Sequence, residues 1–391
     1  MARPGRTRSF FDQYTADLTT ADVRRLFTRD TAEAWRYFAR NIDDQALAAL
    51  PWYRRSWVRA RLVFSGFTMR LSPARRALYG VGLASTVIGL FLLFRGVGTT
   101  RILLFPFTIS LPLPQWVDGT LWLIIGFLAI NLLVIMEVAD RLSLKSDLEI
   151  ARDIQLAMLP RGAQASGDVV AYGVTRPANT VGGDFYDILP LPDGRLALVV
   201  GDVSGKGSPA ALLMALLLAM LRTLVDEGLD AARLVGRLNV QVGRHSPASR
   251  FITLFYGIYD PLDGSLTFVN AGHLPPLLRR RTGAIERVGA AGGGLALGMF
   301  DHATYATDRI TIEPGDTLVL FSDGITEAED AAGRAFDEAG LADVIAAHAA
   351  EDPPRMADGI LRRVEAFVGD ARLADDLTAL VLKRDGTGAG G

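Results

Sequence analysis

The stretch "RLALVVGDVSGKGSPAALLMALLLAML", residues 195–221, decides how this chain is read. An apolar run ends at Gly201-Asp202, a glycine-rich loop follows, and a long apolar helical pattern starts at Ser208-Pro209. The loop "GDVSGKGS", 201–208, has the glycines and the lysine of a phosphate cradle. Its spacing is wrong for one. A P-loop places four residues between its first glycine and Gly-Lys-Ser/Thr, so that backbone N–H groups wrap the phosphates. Here three residues separate Gly201 from Gly205, and Gly207 follows Lys206. A phosphate cradle also has no use for Asp202, so the aspartate needs another explanation.

Composition narrows the choices. At 391 residues the chain is long enough for two or three domains of ~150 residues. Half the residues are hydrophobic, which points to membrane segments. The formal net charge of -2 predicts no nucleic-acid partner. With no cysteine there are no disulfides, zinc–thiolate sites or cysteine nucleophiles. The four histidines (His245, His273, His302, His348) make a histidine-rich metal site a poor fit, so any metal falls to carboxylates.

Outward from the loop, the N-terminal side divides into three parts. Residues 1–76 read as a basic, amphipathic helical region. Val23, Leu26, Phe27, Ala34, Trp35 and Phe38 fall at helical spacing, and "LPWYRRSWVRARLVFSGF" mixes Trp, Phe and Arg. That pattern suits anionic lipid, or a small bundle with a solvated face. Residues 77–138 read as two transmembrane helices, about 77–95 and 119–138, built on the uncharged runs 77–94 and 119–136, each about long enough to span a bilayer. Arg70, Arg75 and Arg76 precede the pair and Arg141, Lys145 and Arg152 follow it, against Arg95 and Arg101 in the connecting loop. The positive-inside rule predicts a multi-pass protein of a cytoplasmic membrane with both termini in the cytoplasm. Residues 139–160 read as a linker helix with Leu144, Leu148, Ala151, Gln155 and Met158 at roughly heptad spacing. Two readings are open: pairing with a second copy, which Gln155 at the seam weakens, or packing as a connector on the next domain.

From 161 to 384 strands and helices mix, with a short flexible tail over 385–391. "RLALVVGDV", "ITLFYGIYD", "GSLTFVNAG", "DTLVLFSDG" and "LTALVLKR" read as strands, several joined by hairpin turns such as Pro192-Asp193-Gly194 and Asp263-Gly264. The patterns "SPAALLMALLLAMLRTLVDEG", "EAGLADVIAAHAA" and "PPRMADGILRRVEAFVG" read as helices. Hairpin-linked strands with a few helices predict an α+β sandwich. The first of these helices is apolar enough to compete as a third span, but its immediate link to the Asp202 loop favours a buried helix.

Aspartates recur where apolar runs give way to turns: Asp184 in "VGGDFYD", Asp202, Asp323 in "LVLFSDG" and Asp375 in "ADDLTALVL". Any one of them alone reads as a turn residue. Gathered together they would repel, unless cations sit between them. Mg²⁺ or Mn²⁺ takes oxygen ligands, and two such ions can activate a shared water toward phosphorus. Asp202 is then a metal ligand and the glycines shape the loop around it.

"GGDFYD", "GDVSGKG", "NAGHLPP", "FSDGITEA" and "DDLT", in this order and preceded by "ARDIQLAMLP", resemble the SpoIIE/RsbU-type bacterial branch of the metal-dependent type 2C (PPM) serine/threonine phosphatases. The resemblance covers roughly 145–384. It implies an αββα sandwich and two Mn²⁺ or Mg²⁺ ions, with Asp202 bridging and the Val203 carbonyl binding one ion. Asp323 and Asp375 would hold the second ion, Asp184 would reach the site through water, and Asp376 is the ambiguous neighbour. It further implies a phosphoprotein substrate, by analogy a STAS-type anti-anti-sigma protein, and activation through a homodimer of linker helices. Ser204 stands where the eukaryotic-type pattern proposes a histidine acid, leaving the proton donor unassigned. His273 and Asn270 read as structural turn residues, and Lys206 as either a phosphate attractor or a solvated side chain. The competing classes are a catalytically silent, membrane-tethered partner-binding module and a membrane nucleotide cyclase. All four aspartates are present, against the first; base-reading residues are lacking, against the second.

Overall fold

The computed structural model describes residues 51–69, 71–94, 97–104, 107–114, 116–246, 250–289, 294–369 and 371–386. Most of the predicted N-terminal region (1–50), Arg70, Arg95 and the end of the tail (387–391) lie outside them. The chain divides into two compact units, Met1–Leu142 and Ser143–Gly391.

The first unit holds α1 (Trp52–Thr68), α2 (Pro73–Phe94) and the start of α3 (Trp116–Met158). Helices α2 and α3 meet where Gly82 and Gly89 face Gly126 and Gly119, so their backbones approach closely. Arg75 at the head of α2 pairs with Asp140 at 2.7 Å and Glu137 at 3.4 Å, fastening that end. Pro73–Phe94 and Gly119–Met158 are each long and apolar enough to cross a membrane. Two predicted boundaries differ. The predicted second span and linker helix form one helix, because the change from apolar to charged composition at 137–145 does not interrupt the backbone hydrogen bonds. The connecting segment is a hairpin of β1 (Val97–Leu104) and β2 (Phe107–Pro114), paired Val97↔Pro114 through Leu104↔Phe107. Its prolines had suggested a loop, but in a two-stranded sheet both strands are edges, which tolerate proline.

The second unit is built on two antiparallel sheets. One has the order β10-β9-β12-β13-β4-β3: β3 is Gln164–Ser166, β4 Val169–Arg176, β9 Leu277–Arg279, β10 Ile285–Arg287, β12 Thr317–Phe321 and β13 Leu377–Arg384. The other has the order β11-β8-β7-β6-β5: β5 is Phe185–Pro190, β6 Leu196–Val203, β7 Ile252–Asp260, β8 Ser265–Ala271 and β11 Asp308–Thr311. Side-chain alternation makes the layers. Leu318 and Leu320 of β12, with Leu380 and Leu382 of β13, join the core shared with the second sheet. Val319, Phe321, Ala379 and Val381 point the other way, into a core with α7 (Asp337–Ala347) and α8 (Pro353–Val368). Helices α4 (Ser208–Asp226) and α5 (Ala231–His245) cover the outer face of the five-stranded sheet. The result is α/β/β/α layering, an α+β sandwich as expected.

Helix α4 is a core element of this unit. Ala210, Leu213, Met214, Leu217, Leu218, Leu221 and Leu224 are buried against β5–β7, which accounts for its apolarity. Helix α5, whose Asp230 N-cap accepts from the Arg233 amide, was not anticipated; β3, β4 and β5 likewise did not stand out as strands. The linker's seam residues Leu148, Ala151, Gln155 and Met158 lie on the side of α3 that packs on this unit, while Ile150 and Ile154 are exposed.

Candidate active site

Each aspartate of interest sits at or beside the end of a strand. Asp202 is the penultimate residue of β6, opposite Thr253 of β7. Asp184 immediately precedes β5. Asp323 opens α6 (Asp323–Thr326), a single turn after β12. Asp375 and Asp376 precede β13. Pairing within each sheet, and stacking of the two sheets, bring these ends to one rim of the sandwich.

Their electrostatics show that they share a space. Asp184 is 3% exposed and its Oδ2 has no hydrogen-bond partner. Burial first, and the charge of Asp202 second, push its pKa well above the carboxylate range, while Ser322 and Thr378 hydroxyls pull the other way. Asp202 is pushed up to about 6, by burial and then by Asp323, with Asp375 and Asp376 adding repulsion. The Asp323 carboxyl is also raised, by burial and by Asp375. This is the signature of acids crowded without enough counter-charge.

The sheet ends are tied together by Asp376. Its Oδ1 accepts from the Ala178 amide at 2.8 Å, and its Oδ2 accepts from Gly183 at 2.8 Å and from Asp184 at 3.4 Å. Asp376 therefore organises the 178–184 loop. Asp375 turns elsewhere: its Oδ2 accepts from Lys206 Nζ at 2.8 Å, and the same ammonium donates to the Ala374 carbonyl at 2.6 Å. Neither of the two roles foreseen for Lys206 covers this ion pair, which joins residues 169 apart in sequence.

Gly182 and Gly183 are required by proximity. A Cβ on Gly182 would overlap Asp376 Oδ2, and one on Gly183 would stand 2.8 Å from the Val203 carbonyl and 3.1 Å from Asp202 Oδ1. The Val203 carbonyl and the Asp202 carboxylate thus face one small space. That space suits a hard divalent ion: the two polar groups that face it offer oxygen, and Asp184 nearby leaves a buried carboxylate oxygen unpartnered. As the side chains stand, no group of three or more His, Asp or Glu among the described residues is drawn into a ligand set. Lys206 meanwhile brings a positive charge to Asp375.

The remaining candidates are structural. Ser204 Oγ accepts from the Phe251 amide at 2.8 Å, and Arg250 donates to the Ser204 carbonyl at 2.8 Å, fixing the loop. His273 is buried, its Nδ1 lies 2.9 Å from Thr253 Oγ1, and burial lowers its pKa to about 4. Asn270 exchanges two hydrogen bonds with the His273 backbone, an Asx-type turn. Beside Asp375 and Lys206 lies a cavity of about 470 Å³ walled also by Glu327, Glu329, Leu373 and Arg372.

Residues 192–385 match the family model described as Stage II sporulation protein E (SpoIIE). Protein IcfG of Synechocystis is 28% identical over 66% of this chain, and phosphoserine phosphatase RsbU of Bacillus subtilis is 29% identical over 62% of it. The chain spans 44% of the length of IcfG and 71% of RsbU. Among solved structures, the SiaA-PP2C domain of Pseudomonas aeruginosa superposes with a TM-score of 0.55 at 22% identity, covering 63% of this chain and 99% of that one. The PP2C domain of SpoIIE from Bacillus subtilis, with a fragment of its regulatory domain, gives 0.50 at 21% identity, covering 57% and 64%. Those two superpositions carry the fold.

Proposed function

This chain belongs to the SpoIIE/RsbU-like branch of the metal-dependent protein phosphatases, and on that premise we propose that it is a membrane-anchored phosphatase hydrolysing phosphoserine or phosphothreonine on a protein. One observation carries the reading: aspartates from both sheets crowd one rim, with Asp184 Oδ2 buried and unpartnered and Asp202 pushed up to about 6. Such a rim repels a phosphate dianion until cations neutralise it.

Asp202 and the Val203 carbonyl would hold one Mn²⁺ or Mg²⁺ ion, with Asp202 shared with a second held by Asp323 and Asp375; Asp184 would face the pair from the buried side. Such ions supply Lewis-acid activation of water and neutralise charge on the phosphoryl oxygens. The chain's own residues do the rest. Asp376 keeps the 178–184 loop closed on the site. Lys206 holds Asp375 Oδ2 and competes with a cation for it; once displaced, its ammonium would be free to meet a substrate phosphate. His273 is neutral and buried, so the proton for the leaving hydroxyl would come from water in the open cavity beside Asp375.

The finer features extend the reading. Pro73–Phe94 and Gly119–Met158 would anchor the chain in a bacterial inner membrane with both termini cytoplasmic, the basic N-terminal region lying on lipid. Exposed Ile150 and Ile154 would pair α3 with a second copy. By family analogy the substrate would be a STAS-type protein. The test is phosphate release from a phosphoserine protein by the full-length protein in detergent, with Mn²⁺ and after EDTA. Release with Mn²⁺ that EDTA abolishes supports the proposal; release that EDTA leaves unchanged overturns it.

A further inference from the structure

Gln155 is the polar residue that looks out of place on the seam of α3. It is 4% exposed, and its amide makes two hydrogen bonds to one residue: Nε2 donates to the Gly182 carbonyl at 3.0 Å, and Oε1 accepts from the Gly182 amide at 3.2 Å. A side-chain amide can do this because it carries a donor and an acceptor side by side. The next two amides along the chain, Gly183 and Asp184, donate to Asp376 Oδ2. The segment that orients Asp184 is therefore gripped from both sides, by Asp376 at the head of β13 and by Gln155 on the linker helix.

The grip is separate from what docks the helix. Arg222 of α4 donates from Nη2 to the Met158 carbonyl at 2.5 Å and from Nε to buried Asp187 at 2.8 Å. Leu159 is buried beyond it. These contacts hold the end of α3 on the domain without Gln155.

We propose that Gln155 is a positioning residue for the metal site: it sets the 182–184 backbone, and through it Asp184 and the Asp376 hydrogen bonds. The inference rests on the metal-dependent phosphatase reading. It gives the linker helix a specific point of action, the backbone of Gly182.

The experiment uses the full-length protein in detergent, with Gln155→Leu, which removes both hydrogen bonds, and Gln155→Glu, which keeps the shape and the acceptor but loses the donor. Two quantities are read: hydrogen exchange of the 178–187 segment, and Mn²⁺ affinity by spin-resonance titration. The expected result is exchange across 178–187 at least tenfold faster in Gln155→Leu, with α7 and α8 unchanged. Mn²⁺ affinity should weaken about tenfold, with a smaller loss in Gln155→Glu. Release of phosphate at saturating Mn²⁺ should return toward the wild-type rate, since the defect lies in forming the site. Wild-type exchange at 178–187 with wild-type Mn²⁺ affinity in both variants overturns the proposal. A lowered melting temperature with both of those quantities unchanged does so too, by making Gln155 merely structural. Wild-type protein that binds no Mn²⁺ while faster exchange is still seen in the variants would instead sink the phosphatase reading and leave only the grip.

Discussion

Lys206 Nζ donates to Asp375 Oδ2 at 2.8 Å, placing an ammonium against the acidic rim from the glycine loop that carries Asp202. The side chains are 55% and 45% exposed, so the pair is weak and reversible. Holding Asp375 this way competes with any cation that needs the same carboxylate.

Replacing Lys206 by Ala should therefore tighten Mn²⁺ binding. An exposed pair contributes up to ~1 kcal/mol, so the expected gain is about two- to fivefold. Spin-resonance titration of EDTA-stripped protein checks it. Weaker binding in the variant would show that Lys206 supports the site instead.

Asp202 sets a pH dependence in the absence of metal. Its folded pKa, about 6, lies above the value near 3.9 of an unfolded aspartate. The fold thus favours the protonated form. That contribution is full below about pH 4 and is lost as pH rises through about 6. In EDTA, Asp202→Asn should gain stability relative to wild type between those pH values, and lose that advantage when Mn²⁺ is added. Urea unfolding at several pH values measures it; a constant difference would contradict the crowding described above.

Gly182→Ala inserts a methyl group into Asp376 Oδ2. Overpacking at a closed site costs about 1–3 kcal/mol. The unfolding midpoint should fall accordingly and Mn²⁺ binding should weaken with it. Unchanged binding would mean that the Asp376 hydrogen bonds do not govern the rim.

Asp187 is 1% exposed and pairs with Arg222, which also holds the Met158 carbonyl. Arg222→Ala strands the Asp187 carboxylate. Breaking a buried pair costs ~3–5 kcal/mol, and the partial exposure of Arg222 places this case at or below the lower end. Denaturant unfolding reads the loss. Asp187→Asn with Arg222→Ala should recover part of it, because no buried charge then lacks a partner.

How much of this was readable in advance depended on the range of the interaction. Apolar runs that end in Asp202 and Asp323, and Asp375 just before the run of β13, put carboxylates at strand ends by local pattern alone. The amphipathic period of α8 is equally local. Pairings across the fold left no such trace: Lys206 with Asp375, Arg222 with Asp187, and Gln155 with Gly182 depend on how two sheets and a linker stack. Gln155 did leave a mark, a polar residue in an apolar seam, but read alone it only weakened the case for a coiled coil. Asp375 and Asp376 are neighbours of one type, and only their hydrogen bonds separate a residue turned to Lys206 from one that ties the loop. The hairpin at 97–114 and helix α5 were missed for opposite reasons. Prolines hid the first, and the second is punctuated by glycines at 236 and 243 that its buried face, Leu234, Leu238 and Val242, outweighs.

The most direct test of the central claim is phosphate release by Asp202→Asn beside wild type across a Mn²⁺ titration, on a phosphoserine protein and with both proteins shown to be folded. Asp202 lies beside Gly183 and the Val203 carbonyl and feels the charges of Asp323 and Asp375. Release should be Mn²⁺-dependent in wild type and at least ~100-fold slower in the variant at every Mn²⁺ concentration, the scale seen when a group that stabilises transition-state charge is removed. Equal rates in the two proteins would show that the aspartate rim is not where the phosphate is hydrolysed.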